Sequence, residues 1–213
     1  MSEYLDAVVW QRMERTAEAL RKNNMEAYLV HSRGEVVPLL DSLLPEGGTV
    51  GVGGSESLAE CGVLELLRSG KYRFLDRYEQ GLTSEQVGNI YRQSFFADAY
   101  LCSSNAVTEN GELYNVDGNA NRVAALCFGP KSVLLVVGAN KLVRDLAEAE
   151  RRVQEVAAPA NTKRLSCKTP CAVTGKCADC KSEQRICCTA VIHRQQRQKG
   201  RIKVILVAES LGF

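Results

Sequence analysis

"GTVGVGGSESLAECGVLELLRSG" (residues 48–70) decides the fold. It reads as a short apolar strand, a turn of glycines and serines, and an amphipathic helix. Ser57 and Glu60 have the spacing of a capping box at the helix start. A strand handed straight to a helix is the repeating unit of an α/β domain. Working outward, the same alternation recurs. Residues 4–22 carry Leu5, Val8, Val9, Met13, Ala17 and Leu20 on one helical face. "EAYLVHS" (26–32) reads as a buried strand, residues 35–45 as a helix with Pro38 near its start, and "YRFLDR" (72–77) as a strand. A helix over 84–95 precedes a strand over 97–108. The Asn110-Gly111 turn then leads to a hairpin partner over 112–118.

Farther along, 122–129 reads as a short helix, and "KSVLLVVG" (131–138) as a strand buried on both faces. Residues 141–156 predict a charged helix with Glu148 and Arg152 paired at i,i+4, and 201–213 a closing strand. The expectation is one α/β domain over 1–213 with a mainly parallel sheet and helices on both faces. A cysteine-rich excursion (167–188) is inserted before the last strand.

Composition narrows the function. The 213-residue chain is 45% hydrophobic and 24% charged with a net charge of +2, ordinary for a globular protein and too weak a field for nucleic acid or an anionic membrane. The basic stretch "HRQQRQKGR" (193–201) lacks aromatic residues for base stacking and reads as a solvated loop. The first twenty residues carry acids and no continuous apolar core, unlike a secretory signal, and the longest apolar runs are far short of a membrane span. A cytoplasmic protein with reduced thiols is expected, with no nucleic-acid or membrane partner.

Two polar constellations stand out. At Gly53, Gly54 and Ser55 a strand meets a helix, where backbone N–H groups favour an anion; the alternative is a tight turn with Ser55 or Ser57 capping the helix. The P-loop lysine is absent. The segment 103–122 supplies Asn105, Glu109, Asp117, Asn119 and Arg122, and "GANK" adds Asn140 and Lys141. These loops follow or connect expected strands, and ligands in open α/β sheets bind beyond the carboxyl ends of strands, so they are expected to line one pocket for a small anionic metabolite. Glu109 or Asp117 would serve as base or nucleophile. His31 and His193 lack an acidic neighbour in sequence.

Six of the nine cysteines lie between Cys167 and Cys188, spaced C-x3-C-x5-C-x2-C-x6-C-C. Cys171, Cys177, Cys180 and Cys187 are the expected metal ligands, because a tetrahedral site needs four soft ligands from one short segment. Their spacing lies close to a plant-type iron–sulfur pattern; zinc, a redox dithiol and idle thiols are the alternatives. Cys61, Cys102 and Cys127 read as small hydrophobes in apolar elements.

"GVGGSESL" (51–58), residues 105–143 from "NAVTENGELYNVDGNANR" through "GANKLV", and "TPCAVTGKCADCKSEQRICC" (169–188) together resemble the lactate-utilisation (LUD-domain) family, in its cysteine-rich branch. The resemblance implies the fold of ribose-phosphate isomerases and CoA transferases. It also implies a role in lactate or organic-acid metabolism beside iron–sulfur or oxidoreductase partner subunits, as an electron-transfer or accessory subunit carrying an iron–sulfur cluster of the [4Fe-4S] type or zinc. "TENG" (108–111) is similar to the element that carries the glutamate nucleophile of class I CoA transferases, which makes Glu109 the nucleophile candidate in the alternative reading, an enzyme acting on a sugar phosphate or acyl-CoA. The third reading is an interaction domain with a structural zinc knob.

Overall fold

Six strands form one parallel sheet: β1 (Glu26–Val30), β2 (Thr49–Val52), β3 (Arg73–Leu75), β4 (Ala99–Cys102), β7 (Ser132–Gly138) and β10 (Ile202–Val207), in the order β1-β10-β7-β4-β2-β3. This computed structural model describes residues 3–213, so residues 1 and 2 of the expected domain lie outside it. A second, four-stranded sheet of β5 (Ala106–Thr108), β6 (Leu113–Asp117), β8 (Leu142–Val143) and β9 (Thr189–His193) runs β8-β5-β6-β9.

The run predicted to be buried on both faces is so. In β7, Val133, Leu135 and Val137 join one core with Met13, Ala17 and Leu20 of α1 (Glu3–Lys22) and Leu126 of α6 (Asn121–Cys127). Leu134 and Val136 join a second core with Leu40 of α2 (Val36–Leu43), Leu58 of α3 (Glu56–Glu60) and Leu67 of α4 (Val63–Arg68). Side chains alternate across a strand, so a continuous apolar run demands a cover on each face, and helices supply both. The helix expected over 84–95 is α5 (Ser84–Gln93), opened by a capping box of Thr83 and Gln86. The smaller sheet has its own cover: Ala106, Tyr114 and Val143 pack on Ala149 of α7 (Leu146–Arg152), Val153 and Ala158. Among the described residues no helix is long and apolar enough to cross a membrane.

Several local expectations are corrected. The helix expected after residue 55 is two short helices broken at Gly62, whose φ of 71° needs no Cβ. The capping box at Ser57 and Glu60 does not form. Ser55 is the cap, accepting from the Leu58 N–H, and Ser57 is buried. The strand expected over 97–108 divides between the sheets at Ser103–Asn105, because the Asn105 side chain accepts from Val116 N and the Arg122 guanidinium holds the Ser103 carbonyl. Residues 141–145 lie before α7. The helix then continues through a π turn (Val153–Ala157) into α8 (Ala158–Arg164), and Pro159, which has no N–H to give the helix ladder, follows directly on that turn. Glu148 pairs with Arg144, not Arg152. β9 intervenes between the cysteine segment and the last strand of the large sheet, pairing with β6. Cys127 is exposed, not packed like Cys61 and Cys102, and Arg201 is buried, donating to carbonyls at the end of α6.

Candidate functional site

Strand order brings three carboxyl ends side by side. β7, β4 and β2 are neighbours, and Gly138, Cys102 and Val52 end them. The chain leaves these ends through Lys141, Ser103 and Gly54, and all three line one recess of about 100 Å³. Ser55, Ser104, Asn105, Asp117 and Arg122 also line it, as do Asn161 and Arg164 of α8. The recess shares Gly54, Asp117, Arg122, Asn161 and Arg164 with a wider vestibule of about 560 Å³, whose wall adds Arg77, Tyr91, Asn119, Cys167 and Arg185.

Lys141 is the chemically unusual member. It is 3% exposed, and its Nζ donates to Ser57 Oγ at 2.8 Å and Ser103 Oγ at 3.1 Å. Among the described residues it makes no ion pair. An ammonium has three protons, so one remains for a ligand in the recess. Burial, reinforced by Arg152 and Arg122 and opposed by Glu60 and Cys102, drops its pKa to about 7. Arg152 is pulled down to about 10 by burial, and its guanidinium donates to the Asn140 and Asn105 carbonyls.

Arg122 is committed to structure. Its N–H groups go to Asp117, the Ser103 and Val116 carbonyls, and the side chains of Asn115 and Asn105. Asp117 in turn accepts from Val123 N at the start of α6 and pairs with Arg122, with side-chain exposures of 10% and 11% for Arg122 and Asp117. This cluster binds the end of β4 to β6 and α6 and so holds Ser103 in place. Gly53 faces Cys102, Tyr100 and Arg122 so closely that a Cβ would stand 3.1–3.2 Å from each, a packing requirement. Asn140 fastens residues 211 and 212, accepting from Leu211 N and donating to Gly212 O.

Glu109 does not line the cleft. It sits in the β5–β6 turn, its N–H on Val143 O and its carboxylate on Arg12 of α1 at 2.8 Å. Sequence reasoning missed Ser57, Ser103, Arg77, Asn161 and Arg164. Ser103 stood inside the polar segment already singled out, so the end of an apolar strand could have flagged it. Arg77 carried no signal.

The cysteine segment folds as α9 (Pro170–Thr174) followed by an irregular loop. Cys171 is buried in it, its sulfur 3.4 Å from the hydroxyls of both Thr162 and Thr169. Burial pushes this thiol up, but those hydroxyls and the Cys171 and Ala172 N–H groups outweigh it, leaving the pKa below its ordinary value. Cys187 is raised by burial, and further by the charges of Cys177 and Cys180, against the pull of Arg185. Among the described residues, however, no three His, Cys, Asp or Glu side chains gather as a metal-holding group, and every cysteine is a free thiol.

Residues 13–207 match the family of the LUD domain. Among solved structures, a DUF162-family protein from Deinococcus radiodurans is similar in fold, with a TM-score of 0.51 at 18% sequence identity over 95% of this chain and 98% of that one. No curated protein matches.

Proposed function

The chain belongs to the LUD-domain family, and from that premise we propose that its cleft binds a small anionic organic metabolite, a carboxylate or an acyl or phosphoryl derivative of one, as part of organic-acid metabolism. The observation that carries this reading is the buried Lys141 ammonium, lining a recess with no carboxylate partner. A buried charge is costly unless it is paired, and an anion entering the recess supplies the missing pair. Titration calorimetry against lactate, pyruvate, succinate, a sugar phosphate and an acyl-CoA tests it. At least one anion binds, and Lys141→Met removes that binding while the fold persists. Equal affinity in the variant would refute the reading.

An electron-transfer or accessory role beside an oxidoreductase partner is the second reading, favoured by the six cysteines concentrated between Cys167 and Cys188. Iron, sulfide and zinc assays on anaerobically prepared protein decide it, and stoichiometric iron and sulfide support a cluster. The absence of both iron and zinc would remove this reading.

A further inference from the structure

We propose that Ser103 is a nucleophile activated by Lys141, and that the cleft transfers or hydrolyses the acyl group of a carboxylated ester or thioester. This rests on the reading of the cleft as an anion site and adds a reaction to it. Lys141 Nζ stands 3.1 Å from Ser103 Oγ, within the reach required of a base and its nucleophile. Both line the recess at the carboxyl edge of the parallel sheet. Ser57 Oγ, 2.8 Å from the same nitrogen and itself donating to Leu211 O, fixes the amine on its other side. Arg122 grips the Ser103 carbonyl, so the nucleophile sits on a braced backbone. Lys141, with Ser57 behind it, thus stands in the place of a triad base without histidine, and the Ser103 hydroxyl, which donates to the Ser104 carbonyl at 3.3 Å, turns that proton to Lys141 when the amine is neutral.

The same cleft supplies a site for the distal charge of the substrate. Arg77 stacks on Tyr78 and Tyr91, 5.3 and 4.7 Å from the ring centroids. Among the described residues it makes no hydrogen bond or ion pair, and its Nε is buried without a partner. A Cβ on Gly54 would lie 3.6 Å from an Arg77 terminal nitrogen, so Gly54 separates the recess from this uncommitted guanidinium. An acyl compound with its carbonyl at Ser103 and a carboxylate toward Arg77 uses both.

The chemistry balances with water as co-reactant. Ser103 Oγ forms a bond to the acyl carbon as its proton passes to the neutral Lys141 amine. The bond from that carbon to the leaving oxygen or sulfur then breaks, and the leaving group takes the proton from the Lys141 ammonium. Water attacks the acyl-Ser103, giving a proton to Lys141, and that proton returns to Ser103 Oγ as the carboxylic acid departs. Lys141 must be neutral to begin. Burial, Arg152 and Arg122 favour that form, while Glu60 and Cys102 oppose it.

The probe is mono-p-nitrophenyl adipate, whose chain is too long to expel p-nitrophenolate by closing to a five-membered anhydride, with the full chain. A burst of p-nitrophenolate equal to the amount of protein is expected ahead of slower turnover, with the adipyl group found on the Ser103 peptide of acid-quenched protein by mass spectrometry. The acylation rate rises as pH passes through about 7. Ser103→Ala abolishes the label, and Lys141→Met slows it by about 10²–10⁴-fold. Arg77→Gln lowers the preference for this ester over uncharged p-nitrophenyl acetate by roughly tenfold. A label on Lys141 or elsewhere, or none, overturns the proposal, and labelling of the unmodified chain decides the matter whether or not the variants fold. Adipate binding by Ser103→Ala, read by calorimetry, separates the two readings. If adipate binds but Ser103 is never acylated, the anion site stands and the nucleophile falls.

Discussion

Replacing Lys141 with Met should stabilise the fold at low pH and destabilise it at high pH. In the unfolded chain the lysine keeps its proton to about pH 10.4; in the folded site it releases it near 7. Between those values the unfolded state binds more protons, so stability rises with pH. Below 7 both states are charged and the whole cost of burying the ammonium is present; above the unfolded value neither is charged and the cost is gone. The fall from 10.5 to about 7 corresponds to about 5 kcal/mol as a ceiling. Methionine fills similar volume and removes that cost, but loses the hydrogen bonds to Ser57 and Ser103, about 1 kcal/mol each. The variant should therefore be about 3 kcal/mol more stable than the parent at pH 6, equal to it near about pH 9, and less stable above. Urea unfolding of both proteins across pH 6–10 measures this difference, in which the raised thiols of Cys61 and Cys102 and the raised phenols largely cancel. A difference that stays constant with pH would show that Lys141 is charged in the folded protein throughout.

Asp117→Asn leaves the buried Arg122 guanidinium without its counter-charge and should cost about 3 kcal/mol in the same unfolding assay; a loss below about 1 kcal/mol would mean the pair is well hydrated. Glu109→Ala should leave anion binding and acylation unchanged and cost less than about 1 kcal/mol, because its pair with Arg12 is 30% exposed on the glutamate side. Any loss of turnover would return Glu109 to the chemistry. Gly111→Ala should destabilise by about 3 kcal/mol or more, since φ is 76° and the added Cβ would stand 2.5 Å from the Ala19 backbone. Thermal unfolding within a few degrees of the parent would disprove that contact.

What the sequence made legible tracks how local each cause is. The run 133–138 announces itself because burial on both faces leaves no polar residue inside it, and the strand–turn–helix at 48–70 follows from glycine and serine chemistry. β9 was invisible because "TAVIH" is short and alternates half-buried with exposed residues, and only its pairing with β6 makes it a strand. Cysteine spacing shows that thiols are dense, but not that two threonines claim Cys171. Ser57 has capping-box spacing, yet the buried ammonium of a residue 84 positions away claims its hydroxyl. Capping competes with tertiary partners, and the stronger, charge-assisted bond wins.

The same comparison of strengths bears on what the cleft is for. Arg122 and Asp117 form a closed set whose donors and acceptors answer one another, and such a set braces a backbone without needing a ligand. Lys141 is the opposite case. It lies in the influence of two arginines, with hydroxyls as its only hydrogen-bond partners among the described residues, and a methionine would fill its place at lower cost. A cluster that stabilises explains itself; a cation that destabilises needs another reason to be there. A depressed lysine in a recess beside a serine, where strand ends converge, has that reason in the proton it can take up and return.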